Sequence, residues 1–196
     1  MSVCPGKGFA VRCAAPWRRG RQEVKQVKLP KAAKSAAAFG ARELLHRAGL
    51  WHDLGKADPE WQEYLERSEA GMWKSLRRID HKAAGARLAR DPSSWGAAFL
   101  IHAHHGGLQD RQEFKRRYAE KSRLPGVTRA LATFSGNLPV APGPIEMPAG
   151  LTSELAAETF LRLAFSGLVD ADTLDTERHN LGGEVEDRGS GVTLGA

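Results

Sequence analysis

The chain has 196 residues, 41% apolar and 27% charged, with 29 Lys and Arg against 23 Asp and Glu for a net charge of +6. That length suits one domain with short extensions and a core that needs no disulfide staples. No apolar run is long enough to span a membrane. The basic N-terminal stretch lacks the apolar segment of a secretory signal, and Cys4 and Cys13 are too few for a disulfide scaffold or a zinc knuckle. A reducing, cytoplasmic setting is the expectation. Residues 1–34 hold nine Lys and Arg against Glu23 alone, whereas residues 170–196 hold seven acids against Arg178 and Arg188. Such a basic arm suits either a polyanionic partner or a solvated tail.

Residues 1–26 carry Gly, Pro and Arg without periodicity and read as a basic extension. The domain proper spans 27–178, and 179–196 form a Gly-rich acidic tail. An Ala-rich pattern predicts a helix over 31–49 with Gly49 as its C-cap. Asp58 ahead of Pro59 is an N-cap with a first-position proline, starting a helix that carries Trp61, Tyr64 and Leu65. Asp80 caps a helix over 81–90, stopped by Asp91-Pro92. Residues 94–104 predict a buried apolar helix ended by Gly106-Gly107, and a polar helix follows from Asp110 to Lys121. Four prolines and three glycines make 135–150 a loop or lid. The longest helical pattern runs from Leu151 to about Glu177. Strand-like alternation is nowhere sustained, so the fold class is all-α.

Four pieces of sequence carry metal-ligand chemistry: His52-Asp53, His81, His104-His105, and Asp170 with Asp172. Imidazole nitrogens with carboxylate oxygens suit borderline divalent metals. His81 shares a face with Ala84, Gly85 and Leu88, where backbones can approach closely and a bare imidazole needs a partner. His104 follows Ala97, Leu100 and Ile101, and His105 follows Ala98 and Ile101. Asp172 continues the apolar face of Leu161, Phe165 and Leu168, which points its carboxylate at the core, where it must be paired or metal-bound. Asp170 follows the more polar Thr159, Leu163 and Ser166, which makes it the second choice of ligand. His46, His102 and His179 are read as structural.

In this order the motifs His-Asp-Leu-Gly-Lys (52–56), Asp-His-x-Ala-Ala-Gly-Ala (80–86), His-His-Gly-Gly-Leu (104–108) and Leu-Val-Asp-Ala-Asp-x-Leu-Asp-Thr-Glu (168–177) resemble the HD nuclease domain of the CRISPR type I helicase–nuclease. The resemblance covers about residues 27–178. It implies an HD helical bundle around a metal site that holds one or two divalent transition ions (Mn, Co, Ni, Fe or Zn). His52, Asp53, His81, His104, His105 and Asp172 would be the ligands, with Asp53 bridging. The implied reaction is metal-dependent hydrolysis of phosphodiester bonds in single-stranded DNA, as a nuclease of antiviral defence. The implied partners are a separate helicase subunit and the CRISPR surveillance complex; the chain carries no Walker motif, which suits either the separate nuclease or an excised domain. One departure stands out. Lys28 occupies the place of a family histidine, which leaves the half-site of His52, Asp53 and Asp172 one ligand short, while Asp53, His81, His104 and His105 form a complete set.

Lys56, one turn beyond the His-Asp pair, is placed either to contact the scissile phosphate or to cap the helix end. The helix after the paired histidines mixes Arg111, Lys115, Arg116, Arg117 and Lys121 with Phe114 and Tyr118. Cations for phosphates and rings for bases are what single-strand binding uses; the same rings, four apart, also suit inward packing. Two other functions compete. One is an HD phosphohydrolase of nucleotides or cyclic oligonucleotides, and the other is a weakened HD module that only binds nucleic acid or a partner.

Overall fold

A computed structural model of the chain describes residues 36–72, 78–90, 94–134 and 143–180, apart from the side chains of residues 69 and 178–180. The described elements are all helical. They are α1 (Arg42–Trp51), a 3₁₀ turn (Leu54–Ala57), α2 (Pro59–Arg67), a wide turn (Ser68–Met72), α3 (Lys82–Arg90), α4 (Trp95–Ala103), α5 (Arg111–Lys121), α6 (Pro125–Thr133) and α7 (Glu154–Asn180). No strand occurs among the described residues, as the missing alternation implied. The extension 1–26, with Lys28, and the tail beyond residue 180 lie outside the described residues.

The Ala-rich run does not continue as one helix to Gly49. It stops at Gly40, whose φ of 77° is the left-handed conformation of a helix C′ residue. Ala41 N–H donates to Ala36 O at 2.8 Å and Gly40 N–H to Ala37 O at 3.3 Å, the crossed pair of a Schellman end. A new helix, α1, begins at Arg42 and carries Gly49 inside it, with the His52 N–H still bonded to Ala48 O at 2.9 Å. The expected C-cap is therefore two residues short of the true end. Helix α6 has no counterpart in the sequence reading, although Pro125 at its first position was a usable start signal.

The caps at Asp58, Asp80 and Asp110 are present. Asp58 accepts from Glu60 N–H at 3.4 Å, Asp80 Oδ1 from the N–H groups of Lys82 and Ala83 at 3.0 Å each, and Asp110 from Gln112 and Glu113 at 2.8 and 2.9 Å. Each satisfies helix-end donors that would otherwise lack partners.

Helix α3 lies along α4, and α1 packs across both and against α7. The buried face of α3 is Ala83, Ala84, Gly85, Ala86 and Ala89. Such short side chains let the neighbouring backbones approach. At Gly85 a Cβ would stand 1.9 Å from Trp51 O, and at Gly55 one would stand 2.1 Å from His81 O. No side chain fits at either point. The Gly55 N–H donates to His81 O at 3.0 Å, which pins the turn after α1 to the start of α3. These two glycines bring the His-Asp pair against His81. Helix α7 packs against α1, and its buried residues Phe160, Ala164 and Leu168, spaced by four, form a stripe that leads toward Asp172.

Candidate metal centre

His52 and Asp53 leave the C-terminal end of α1, His81 precedes α3, His104 and His105 leave the end of α4, and Asp172 projects from α7. The bundle brings all six together. Asp53, His81, His104 and His105 form one group whose ligand atoms lie within 4.8 Å of one another, and His52, His104 and Asp172 form a second. Ring centroids separate by 5.1 Å for His52 and His104, 5.2 Å for His81 and His105, and 3.9 Å for His104 and His105.

The tautomers follow from the backbone. His52 Nδ1 sits 2.8 Å from Gly49 O and His104 Nδ1 sits 2.6 Å from Ile101 O. A carbonyl only accepts, so in both rings Nδ1 carries the proton and, in the neutral ring, Nε2 offers its lone pair to the centre. The Nε2 atoms of His52, His81 and His104 are buried and make no hydrogen bond. Asp53 Oδ1 faces His81 Nε2 at 3.7 Å and His104 Nε2 at 4.0 Å, too long for hydrogen bonds. Native interiors rarely leave several buried polar atoms aimed at each other across such gaps. Lone pairs from imidazole and carboxylate converging on one point fit a divalent transition ion.

The electrostatics agree with that donor set for three of the four rings, His52 being the exception. Burial pushes the His81 imidazole down to about 4. Burial and the neighbouring His52 charge lower His104 as well, and burial also lowers the exposed-edge His105. Three rings are thus neutral at neutral pH, the form in which an imidazole can ligate an ion. For His52 burial is outweighed by the carboxylates of Asp53 and Asp172, which raise it to about 9. Its Nε2 lies 3.4 Å from Asp53 Oδ2 and 3.4 Å from Asp172 Oδ1. Burial would raise Asp53, but His52, Lys56 and His81 hold its carboxyl far below the usual range.

Several expected residues lie elsewhere. Lys56 is only 2% exposed, and its Nζ donates to Asp53 Oδ2 at 2.5 Å while lying 5.7 Å from the Trp61 ring centroid. It neutralises Asp53 from behind, which differs from both the open phosphate contact and the helix cap expected of it. Asp172 stands at the rim of the centre with a side chain 26% exposed. Asp170 is exposed and joins neither group. On α5, Phe114 is buried and packs its ring 5.1 Å from that of Phe99, and Tyr118 leans on Trp95 at 6.1 Å. The inward packing of these rings is the observed one. Arg116 and Arg117 are both bonded to Glu113, whereas Arg111 and Lys115 are exposed.

An all-α bundle that closes a His-Asp pair at a helix end with further histidines from two other helices and an aspartate from a late helix is an HD metal-site domain. A family model described as Cas3, HD domain matches residues 10–170, most of the chain, and the chain belongs to this family of CRISPR-associated HD nucleases. Asp172 lies two residues beyond the matched segment. Among curated proteins and among solved structures none matches. No helix among the described residues is long and apolar enough to cross a membrane.

Proposed function

We propose that this domain hydrolyses phosphodiester bonds of single-stranded DNA, working with a helicase and the surveillance complex of CRISPR type I defence. The observation that carries the chemistry is the set of buried, unbonded imidazole Nε2 atoms converging on Asp53. A divalent ion held there supplies charge neutralisation at phosphorus and water activation near neutral pH. Asp53, His81, His104 and His105 would hold it. Lys56 keeps Asp53 ionised and fixed, and the carbonyls of Gly49 and Ile101 fix the rings of His52 and His104. The strand would follow the positive side of the centre, where Arg111 and Lys115 are exposed cations of α5 outside the Glu113 pairs.

The two ligand groups share His104. Its Nδ1 is engaged by Ile101 O, so its Nε2 serves one ion at a time. The four-residue group keeps it, and the remaining His52 and Asp172 form a weaker position beside Asp53. One firmly held ion per chain is the expected stoichiometry, and elemental analysis after dialysis should find nearer one than two. Chelation should abolish cleavage of a single-stranded oligonucleotide, and Mn, Co or Ni should restore it. Cleavage that survives both chelation and Asp53→Ala would overturn the proposal.

A further inference from the structure

A strand cut at this centre needs a fixed cation for the phosphate next to the one being cut. Lys82 directly follows His81, and its side chain is half-buried. The nearest carboxylate is Asp80, but it is already committed. Its Oδ1 accepts from the N–H groups of Lys82 and Ala83, and its Oδ2 takes Lys121 Nζ at 2.6 Å. Lys121 arrives from α5 and displaces Lys82 as the counter-ion of Asp80. The Lys82 ammonium is left with no ion pair among the described residues.

It stands over the turn that follows the paired histidines. A Cβ on Gly106 would lie 3.9 Å from Lys82 Nζ. Gly107 has a φ of 81°, and nothing occupies the space above it within 4 Å of where its Cβ would be. His105, Gly106 and Gly107 are all exposed. Together they make a bare shelf leading out of the metal centre, with Lys82 along one side. Lys121, Arg117 and Arg78 place further positive charge near the Lys82 ammonium, against the one nearby carboxylate of Asp80 that Lys121 already holds. These cations make the shelf electropositive, and a desolvated ammonium without a carboxylate gains most from an incoming anion.

We propose that Lys82 binds the phosphate adjacent to the scissile one, so that the strand leaves the metal centre across the His105-Gly106-Gly107 shelf. This rests on the reading of the chain as a single-strand nuclease and names a residue that positions its substrate. Lys82 acts on the neighbouring phosphate and not on the reacting one, which gives the test its form.

The test compares the parent with Lys82→Gln and Lys82→Arg in Mn²⁺, on a single-stranded oligonucleotide and on bis(p-nitrophenyl) phosphate, a diester with no neighbouring phosphate. Lys82→Gln should raise the oligonucleotide KM about tenfold. It should change kcat little and raise the KM for the small diester far less. In chelator, by fluorescence anisotropy, the slope of log K against log salt should fall by about 0.7, the loss of one single-strand phosphate contact. Lys82→Arg should recover most of the affinity. Arg162→Gln removes the same charge about 15 Å along α7 from Asp172 and serves as the charge control. Metal content and melting temperature of the variants should match the parent. An oligonucleotide KM and salt slope equal to the parent's in Lys82→Gln overturn the assignment, and so do equal losses on both substrates. If the parent cleaves the small diester but neither binds nor cleaves strands, the nuclease reading falls and Lys82 falls with it.

Discussion

Asp53 and Asp58 lie five residues apart on either side of one 3₁₀ turn, and they solve the problem of a buried carboxylate in opposite ways. Asp58 is 2% exposed and fully bonded, with Oδ1 and Oδ2 gripped by the Arg129 fork at 2.8 and 2.9 Å and a cap bond from Glu60 N–H. Gly126 leaves room for it, since a Cβ there would stand 2.5 Å from Asp58 Oδ2. It ties α6 to the start of α2. Asp53 has one oxygen on Lys56, while the other faces two imidazole nitrogens beyond bonding distance. Bonds completed within the chain stabilise the fold, whereas bonds left open with their atoms held in place are available to an ion. Position in sequence does not separate the two carboxylates; completeness of bonding does.

The widest separation between them is in activity. His104→Ala removes the nitrogen shared by both ligand groups. Ion chemistry is worth several kcal/mol at the barrier, so the cleavage rate should fall about a thousandfold or more. The ion-free protein should melt about 5 °C lower, because the buried ring also donates from Nδ1 to Ile101 O at 2.6 Å, a loss far smaller than the loss of rate. A large loss of thermal stability without ion would show that the histidine cluster is itself structural.

Asp58→Ala should do the reverse. It strands Arg129 and removes a helix cap, and Arg129 is 38% exposed, so solvent and Glu60 recover part of the loss. A cost of about 2–3 kcal/mol follows, or roughly 5–10 °C in melting temperature. Metal content and the rate per folded molecule should stay at the parent level. Loss of the ion in Asp58→Ala would mean that the turn and the centre are one unit.

A third buried group sharpens the contrast. His102 is 2% exposed, neither ring nitrogen has a hydrogen bond, and Phe114 packs 5.5 Å away. Burial holds it down to about 4 from 6.5, and Lys82 of α3 with Lys121 and Arg117 of α5 push the same way against Asp80. Between those pH values the unfolded chain takes up a proton that the folded chain refuses. Stability therefore declines as the pH falls from 6.5 toward 4, by up to about 1.4 kcal/mol per pH unit, and is unaffected by this group above 6.5. In metal-loaded protein, His102→Leu should flatten that decline in a denaturant series. An unchanged slope would place the acid sensitivity elsewhere.

The clustering of the candidate residues was legible because apolar spacing fixes helix faces: Asp172 does reach the centre's rim, although the buried stripe leading to it is Phe160, Ala164 and Leu168, one residue off the expected Leu161 and Phe165. Legible too were the three aspartate caps, whose bonds are local. What escaped depends on contacts far apart in sequence. The break at Gly40 turns on a backbone conformation that Gly49 could equally have supplied. The burial of Lys56 depends on Trp61 and on the whole bundle closing over Asp53. The freedom of Lys82 is likewise decided far along the chain, where Lys121 takes Asp80 from 41 residues beyond it.

The same rule of completeness reaches the surface in its mildest form. Arg116 and Arg117 were the expected phosphate contacts of α5, and both are bonded to Glu113. The two guanidiniums in turn hold the Glu113 carboxyl down to about 2, so it stays ionised throughout the working range. A strand approaching α5 must compete with that carboxylate for each arginine. Glu113→Gln removes the competitor and frees both guanidiniums without touching either. Strand affinity should rise by about two- to threefold near 50 mM salt and return to the parent value near 0.5 M, where exposed charges are screened within a few ångströms. The cost to the helix is small, from the lost first-turn acid. Anisotropy titrations at the two salts read the effect directly. If Glu113→Gln binds no better at low salt, the strand passes these arginines by, and its electrostatic attachment lies on the Lys82 side of the centre or on Arg111 and Lys115.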